Sequence, residues 1–97
     1  MKLTLIEKRK EQKEIISFIF KTNELLKWRA GQYLIVKIDH KPDSRGKMRF
    51  FTISSAPFQK NPVITTRIFA KDPSSFKKEL DSLKIGDQIE AKGPDGD

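Results

Sequence analysis

Arg49-Phe50-Phe51-Thr52-Ile53-Ser54-Ser55-Ala56-Pro57 is the stretch on which the reading of this 97-residue chain turns. Arginine, two phenylalanines, threonine and isoleucine suit an extended segment, and Ser-Ser-Ala-Pro supplies the bend that ends it. Side chains alternate along a strand, so Arg49 and Phe51 are expected to point the same way. Thr52 enters the bend, where that alternation need not hold. An arginine grips an anion, an aromatic ring covers a flat surface, and a hydroxyl reaches a heteroatom at the ring's edge. A flat ligand with a phosphate tail satisfies all three.

Outward from this segment the chain reads mostly as strand. The period-two pattern predicts strands over Leu3 to Lys8, Glu14 to Lys21, Tyr33 to Asp39, Met48 to Ser54, Val63 to Ala70 and Gln88 to Lys92. Ile16, Phe18 and Phe20 share one side of the second strand, and Leu34, Val36 and Ile38 face inward from the third. Lys8-Arg9-Lys10, answered by Glu7, Glu11 and Glu14, reads as a solvated hairpin connection. His40 to Lys47 carries loop chemistry in Pro42, Asp43, Ser44 and Gly46. Leu25 to Gly31 reads as an irregular crossing. A single helix, Ser74–Ser82, is predicted from capping candidates at Asp72-Pro73-Ser74-Ser75 and from Phe76, Leu80 and Leu83 at i, i+4 and i+7. The expected fold is all-β: a small six-stranded antiparallel Greek-key barrel with one short helix before the last strand.

Composition narrows the classes. There is no cysteine, so disulfides, thiolate metal sites and cysteine-ligated clusters are excluded, and no metal site is expected. The N-terminus is too charged for a signal peptide and no run approaches membrane-spanning length, so a cytoplasmic protein is expected. Twenty basic residues against 13 acidic ones give a net charge of +7, which suits phosphates, nucleic acid or an acidic protein partner.

The quoted segment resembles the Arg-x-Tyr/Phe-Ser/Thr signature of the flavin-binding barrel domain of the ferredoxin–NADP reductase superfamily. Five further stretches resemble that family in the same order. Trp28-Arg29-Ala30-Gly31-Gln32-Tyr33 is similar to its aromatic-x-x-Gly-Gln-Tyr approach to a strand. Thr66-Arg67-Ile68-Phe69, Ser75-Phe76-Lys77-Lys78-Glu79-Leu80 with Leu83 to Asp87, and Gly93-Pro94-Asp95-Gly96 follow. Together they cover nearly the whole chain.

The resemblance implies a domain of an NAD(P)H-dependent oxidoreductase that binds FAD, with FMN the second choice. The helix start is placed for a second phosphate, which favours the dinucleotide. Arg49 would grip the diphosphate, as would the helix start at Ser74, Ser75, Phe76 and Lys77. Phe51 stands where the family usually has tyrosine and would stack on the isoalloxazine. Thr52 matches the family's hydroxyl near flavin N5, the catalytic position. Arg67, Ile68 and Phe69 would offer backbone groups to the pyrimidine end or ribityl chain. Taken as packing, one of Phe50 and Phe51 belongs to the core, and Trp28 and Tyr33 are core or rim residues.

Two departures shape the expectation. Asp72-Pro73 stands where several branches have a glycine before the pyrophosphate helix. The chain also ends at Asp97, where the family runs on into a nicotinamide-binding domain, and no glycine-rich nucleotide loop follows a strand. Residues 1–97 thus read as a flavin barrel truncated at that boundary, served by a nicotinamide-binding domain or subunit and facing an acceptor such as an acidic electron-transfer protein. The rival readings are a small basic barrel for nucleic acid and a flavin-free regulatory or interaction subunit.

Overall fold

A long hairpin anchors the sheet. In the computed structural model, which describes residues 1–38, 48–68 and 75–96, strand β1 (Lys2–Gln12) runs antiparallel to β2 (Ile15–Thr22). The pairing extends from Leu3 opposite Thr22 to Gln12 opposite Ile15. This corrects the sequence reading, which stops β1 at Lys8 and gives Lys8-Arg9-Lys10 to a loop. Those residues pair with Phe18, Ser17 and Ile16, and the turn is only Lys13-Glu14. Two-residue hairpin turns need positive φ, which Asn or Gly usually advertises; here Glu14 adopts φ 70 without that signal. A register shift between Leu5 and Glu7 changes which side chains face inward. Leu3 and Leu5 are buried, and beyond the shift Lys8 lies over the Phe18 ring, 5.9 Å from its centroid.

Four more strands complete the sheet: β3 (Tyr33–Lys37), β4 (Met48–Thr52), β5 (Val63–Arg67) and β6 (Gln88–Asp95). All pairings are antiparallel and the strand order is β4-β3-β6-β1-β2-β5. The ends of that order curl together and meet at one isolated bridge, Ile53 opposite Ile64. The expected barrel with six antiparallel strands is therefore observed, open along the β4–β5 seam. β6 runs three residues beyond its expected end at Lys92.

The inward faces supply the core: Leu3, Leu5, Phe18, Phe20, Leu34, Val36, Ile64, Ile89 and Ala91. Helix α1 (Ser75–Ser82) closes one end of it by burying Phe76 and Leu80 completely, with Leu83 packed alongside. That is the predicted apolar stripe. Basic side chains hold the helix at both ends. Lys77 Nζ donates to the Arg67 carbonyl at 2.8 Å, and Lys8 Nζ donates to the Asp81 carbonyl. The expected Lys41–Lys47 loop, and Asp72 and Pro73 as caps, lie outside the described residues.

Candidate functional site

Strand β4 carries the site. Its register places Arg49 opposite Val36 and Phe51 opposite Leu34, two buried residues, so Arg49 and Phe51 share the inward face as the alternation predicts. Both are half-buried. They converge on Phe76, the second residue of α1. The Arg49 guanidinium carbon lies 5.2 Å from the Phe76 ring centroid, and the Phe51 ring is tilted by 32° at 5.8 Å. Arg49 Nη1 also donates to the Met48 carbonyl at 2.9 Å. A cation over an aromatic face is held by the ring's quadrupole, so Phe76 is one of the groups that hold the guanidinium in place. Its side chain is fully buried and serves as the floor beneath the other two.

Thr52 is placed differently. It remains in the β4 ladder opposite Tyr33, so the alternation persists to this residue, and its exposed side chain belongs to the face opposite Arg49 and Phe51. The structure therefore groups Arg49, Phe51 and the first turn of α1, and sets Thr52 at the strand's end on the other side. On that outer face lies a pair of rings that the sequence reading misses. Phe50, 66% exposed, stacks on Tyr33 with centroids 5.2 Å apart and planes within 12°. Of the two phenylalanines it is Phe51 that packs against the core.

The remaining candidates divide. Arg67 ends β5 exposed, its carbonyl accepting Lys77; Ile68 is buried, and its N–H donates to the Glu14 carbonyl at 2.7 Å. The backbone groups expected to serve a ligand from this stretch are thus already engaged in part. Ser75 begins α1. Phe69 and Ser74 lie outside the described residues. The Gly-Gln-Tyr motif does structural work. Gly31 turns at φ 89, and the buried Gln32 accepts from the Arg29 N–H at 2.8 Å and donates to the Gly96 carbonyl at 2.8 Å. It ties the approach to β3 to the end of the chain. Trp28 is buried, its Nε1 donating to the Ser55 carbonyl at 3.1 Å.

These residues fit a flavin nucleotide. β4 is the terminal strand of the sheet order and pairs along one edge with β3, so among the described residues no strand ladder forms along its other edge from Met48 to Thr52. Backbone donors and acceptors there, a half-buried arginine, a half-buried ring and a helix N-terminus adjoin one another. Broad concavities lie elsewhere, one of about 840 Å³ bordered by Ile35, Met48 and Lys92; the β4 site is an open shelf. Among the described residues no group of acidic or histidine side chains could hold a metal ion, and no helix is long and apolar enough to cross a membrane.

Comparison with known proteins agrees with this geometry. A family model described as the oxidoreductase FAD-binding domain matches residues 2–97. No curated protein matches the sequence. Among solved structures, the FAD/NAD-binding domain of nitric oxide dioxygenase from Vibrio cholerae O1 biovar El Tor superposes with a TM-score of 0.83 at 20% identity, over 99% of this chain and 44% of that one. The cytochrome b5 reductase domain of Ulva prolifera nitrate reductase gives 0.78 at 24% identity, over 98% and 40%. Ferredoxin–NADP+ reductase from Plasmodium falciparum gives 0.76 at 22% identity, over 98% and 37%. The chain spans less than half the length of each of these. Its fold, its β4 signature and the family match together make it a member of the oxidoreductase FAD-binding domain family.

Proposed function

We propose that this chain holds FAD for an NAD(P)H-dependent oxidoreductase whose nicotinamide-binding domain or subunit lies outside residues 1–97. One observation carries the reading: Arg49 and Phe51 are half-buried on one face of an open-edged strand and meet at the first turn of α1. When bound, FAD would supply acceptance of two electrons from a reduced nicotinamide and their release singly or in pairs to an acceptor. The protein's share is binding and orientation. Arg49 grips the diphosphate, with the N–H groups at Ser74 and Ser75 and the Lys77 ammonium at the helix start. Phe51 covers one face of the ring, and Thr52, outward in β4, would turn its hydroxyl to the ring edge near N5 when the flavin is bound. Arg67, Ile68 and Phe69 border the pyrimidine end.

FAD is preferred to FMN for two reasons. The helix start offers a place for a second phosphate, and the Tyr33–Phe50 stack on the outer face of β3 and β4, with Phe50 largely exposed, offers a platform for a second flat ring. A cytoplasmic setting and an acidic electron-transfer partner accord with the absence of cysteine and the net charge of +7. The nucleic-acid and flavin-free readings draw no support from the family match.

Titrating the chain with FAD and with FMN, followed by flavin absorbance and fluorescence quenching, tests this. The expected result is uptake of FAD in preference to FMN, with negligible NADH oxidation by the chain alone. A chain that takes up neither flavin defeats the proposal. Brisk unaided turnover defeats the part that assigns nicotinamide binding elsewhere.

A further inference from the structure

Three hydroxyls link β2, β5 and the segment leaving β4, and their hydrogen bonds run one way. Ser54 Oγ donates to the Val63 carbonyl at 3.0 Å, a group that only accepts. Its single proton is then spent, so the 2.9 Å contact with Thr65 Oγ1 has Thr65 donating. Thr65 in turn leaves its 2.7 Å contact with Ser17 Oγ to be donated by Ser17. Ser17 is only 3% exposed, a buried serine on the outer side of β2. The result is a directed chain from Ser17 to Thr65 to Ser54 to the Val63 carbonyl.

This chain sits where the barrel is least closed by backbone pairing. β4 and β5 meet at the single bridge between Ile53 and Ile64. The residues after Thr52 are each tied down. The Ile53 N–H donates to the Gln32 carbonyl at 2.9 Å, the Ser54 N–H to the Val63 carbonyl at 2.8 Å, and the Val63 N–H to Ser55 Oγ at 3.1 Å. Ser17 and Thr65 pair on the outer face, while Arg49 and Phe51 lie on the inner one. The hydroxyls therefore act on the end of β4 without touching the residues assigned to phosphate and ring face.

Resting on the flavin reading above, we infer that Ser17, Thr65 and Ser54 are positioning residues that fix the β4–β5 seam and so set where the end of β4, at Thr52, meets the flavin's ring edge. The contacts of that edge differ in strength between oxidised and reduced flavin, so a seam that shifts changes the balance between the two more than it changes the grip on the diphosphate.

The test compares the parent chain with Thr65→Val, Thr65→Ser and Ser17→Ala, each loaded with FAD. Oxidised-FAD affinity is read by fluorescence, the midpoint potential by spectroelectrochemistry, and folding by thermal melting. Thr65→Val is expected to change the ratio of oxidised- to reduced-FAD affinity about tenfold, ~30 mV in the two-electron potential, with oxidised-FAD affinity near the parent's. Thr65→Ser restores the parent ratio because it keeps the hydroxyl. A folded Thr65→Val protein with the parent's ratio overturns the inference, as does a Thr65→Ser protein that behaves like the valine variant. Should Thr65→Val not fold, Ser17→Ala decides: it removes only the first donor, a shift in the same direction is expected, and the parent's ratio overturns the inference. A parent chain that takes up no FAD defeats the flavin reading itself, an outcome visible before any variant is compared.

Discussion

The β1–β2 hairpin and the β4–β5 seam are two solutions to closing the same sheet. In the hairpin, backbone pairing runs from Leu3–Thr22 to Gln12–Ile15, and Phe18 and Phe20 are fully buried beneath it. At the seam one bridge and a set of serine and threonine hydroxyls replace the ladder. A backbone group paired to a neighbouring strand cannot serve a ligand. The fold is therefore made at the hairpin, and the seam leaves an edge of β4 for recognition. Stability and binding should accordingly respond to different residues.

The largest expected effect tests the hairpin side of that contrast. Phe18→Ala removes a fully buried ring and should destabilise the domain by about 3–5 kcal/mol, read as a lower urea midpoint at unchanged slope. A loss of only a few tenths would show that the hairpin is not the anchor of the core. On the seam side, Arg49→Ala should weaken FAD binding by about 1.5–3 kcal/mol, the worth of a hydrogen bond to a charged group. Its stability cost should stay near the ~0.5–1 kcal/mol of a partly exposed cation–π contact with Phe76. Unchanged FAD affinity would remove Arg49 from the site, and a large stability loss would erase the division between the two regions.

How much of this is legible in the sequence follows from which contacts are local. The shared face of Arg49 and Phe51 needs only strand alternation, and the burial of Phe76 and Leu80 needs only helical spacing; both can be read directly. The meeting of Arg49 with Phe76 depends on tertiary placement of α1 against β4, which no local pattern encodes. The Lys13-Glu14 turn escapes a sequence reading because glutamate at φ 70 carries no turn signal, so charged strand residues pass for loop. The bend at Ile53 to Pro57 leaves open whether Thr52 keeps the alternation, and pairing with Tyr33 decides that it does. The Tyr33–Phe50 stack is hidden for a similar reason. It requires the register that sets Ile35 opposite Phe50, and so brings Tyr33 diagonally across from it.

That stack gives a smaller and more selective effect. Phe50 is largely exposed, so Phe50→Ala should leave the urea midpoint close to the parent's. It should cost about 0.5–1.5 kcal/mol of FAD affinity, the scale of one aromatic stack, while leaving FMN affinity unchanged. Parallel titrations with the two flavins check this. Equal losses for both would place the ring nearer the isoalloxazine than its outer-face position implies.

The smallest effect on affinity is expected at Thr52, and there the contrast between making the fold and serving the ligand is sharpest. Its exposed hydroxyl carries no core packing, and the diphosphate and ring face are assigned to other residues. Thr52→Ala should therefore bind FAD nearly as well as the parent. What the variant loses is a donor at the ring edge, where electron density changes on reduction. Reduction by a small dihydronicotinamide in large excess, which needs no nicotinamide-binding domain, should be slower, and Thr52→Ser should recover most of the rate. Parent-like reduction in the alanine variant would mean that the outward side chain seen in β4 never turns toward the flavin. The ring edge would then have to be served by the backbone of the open strand alone.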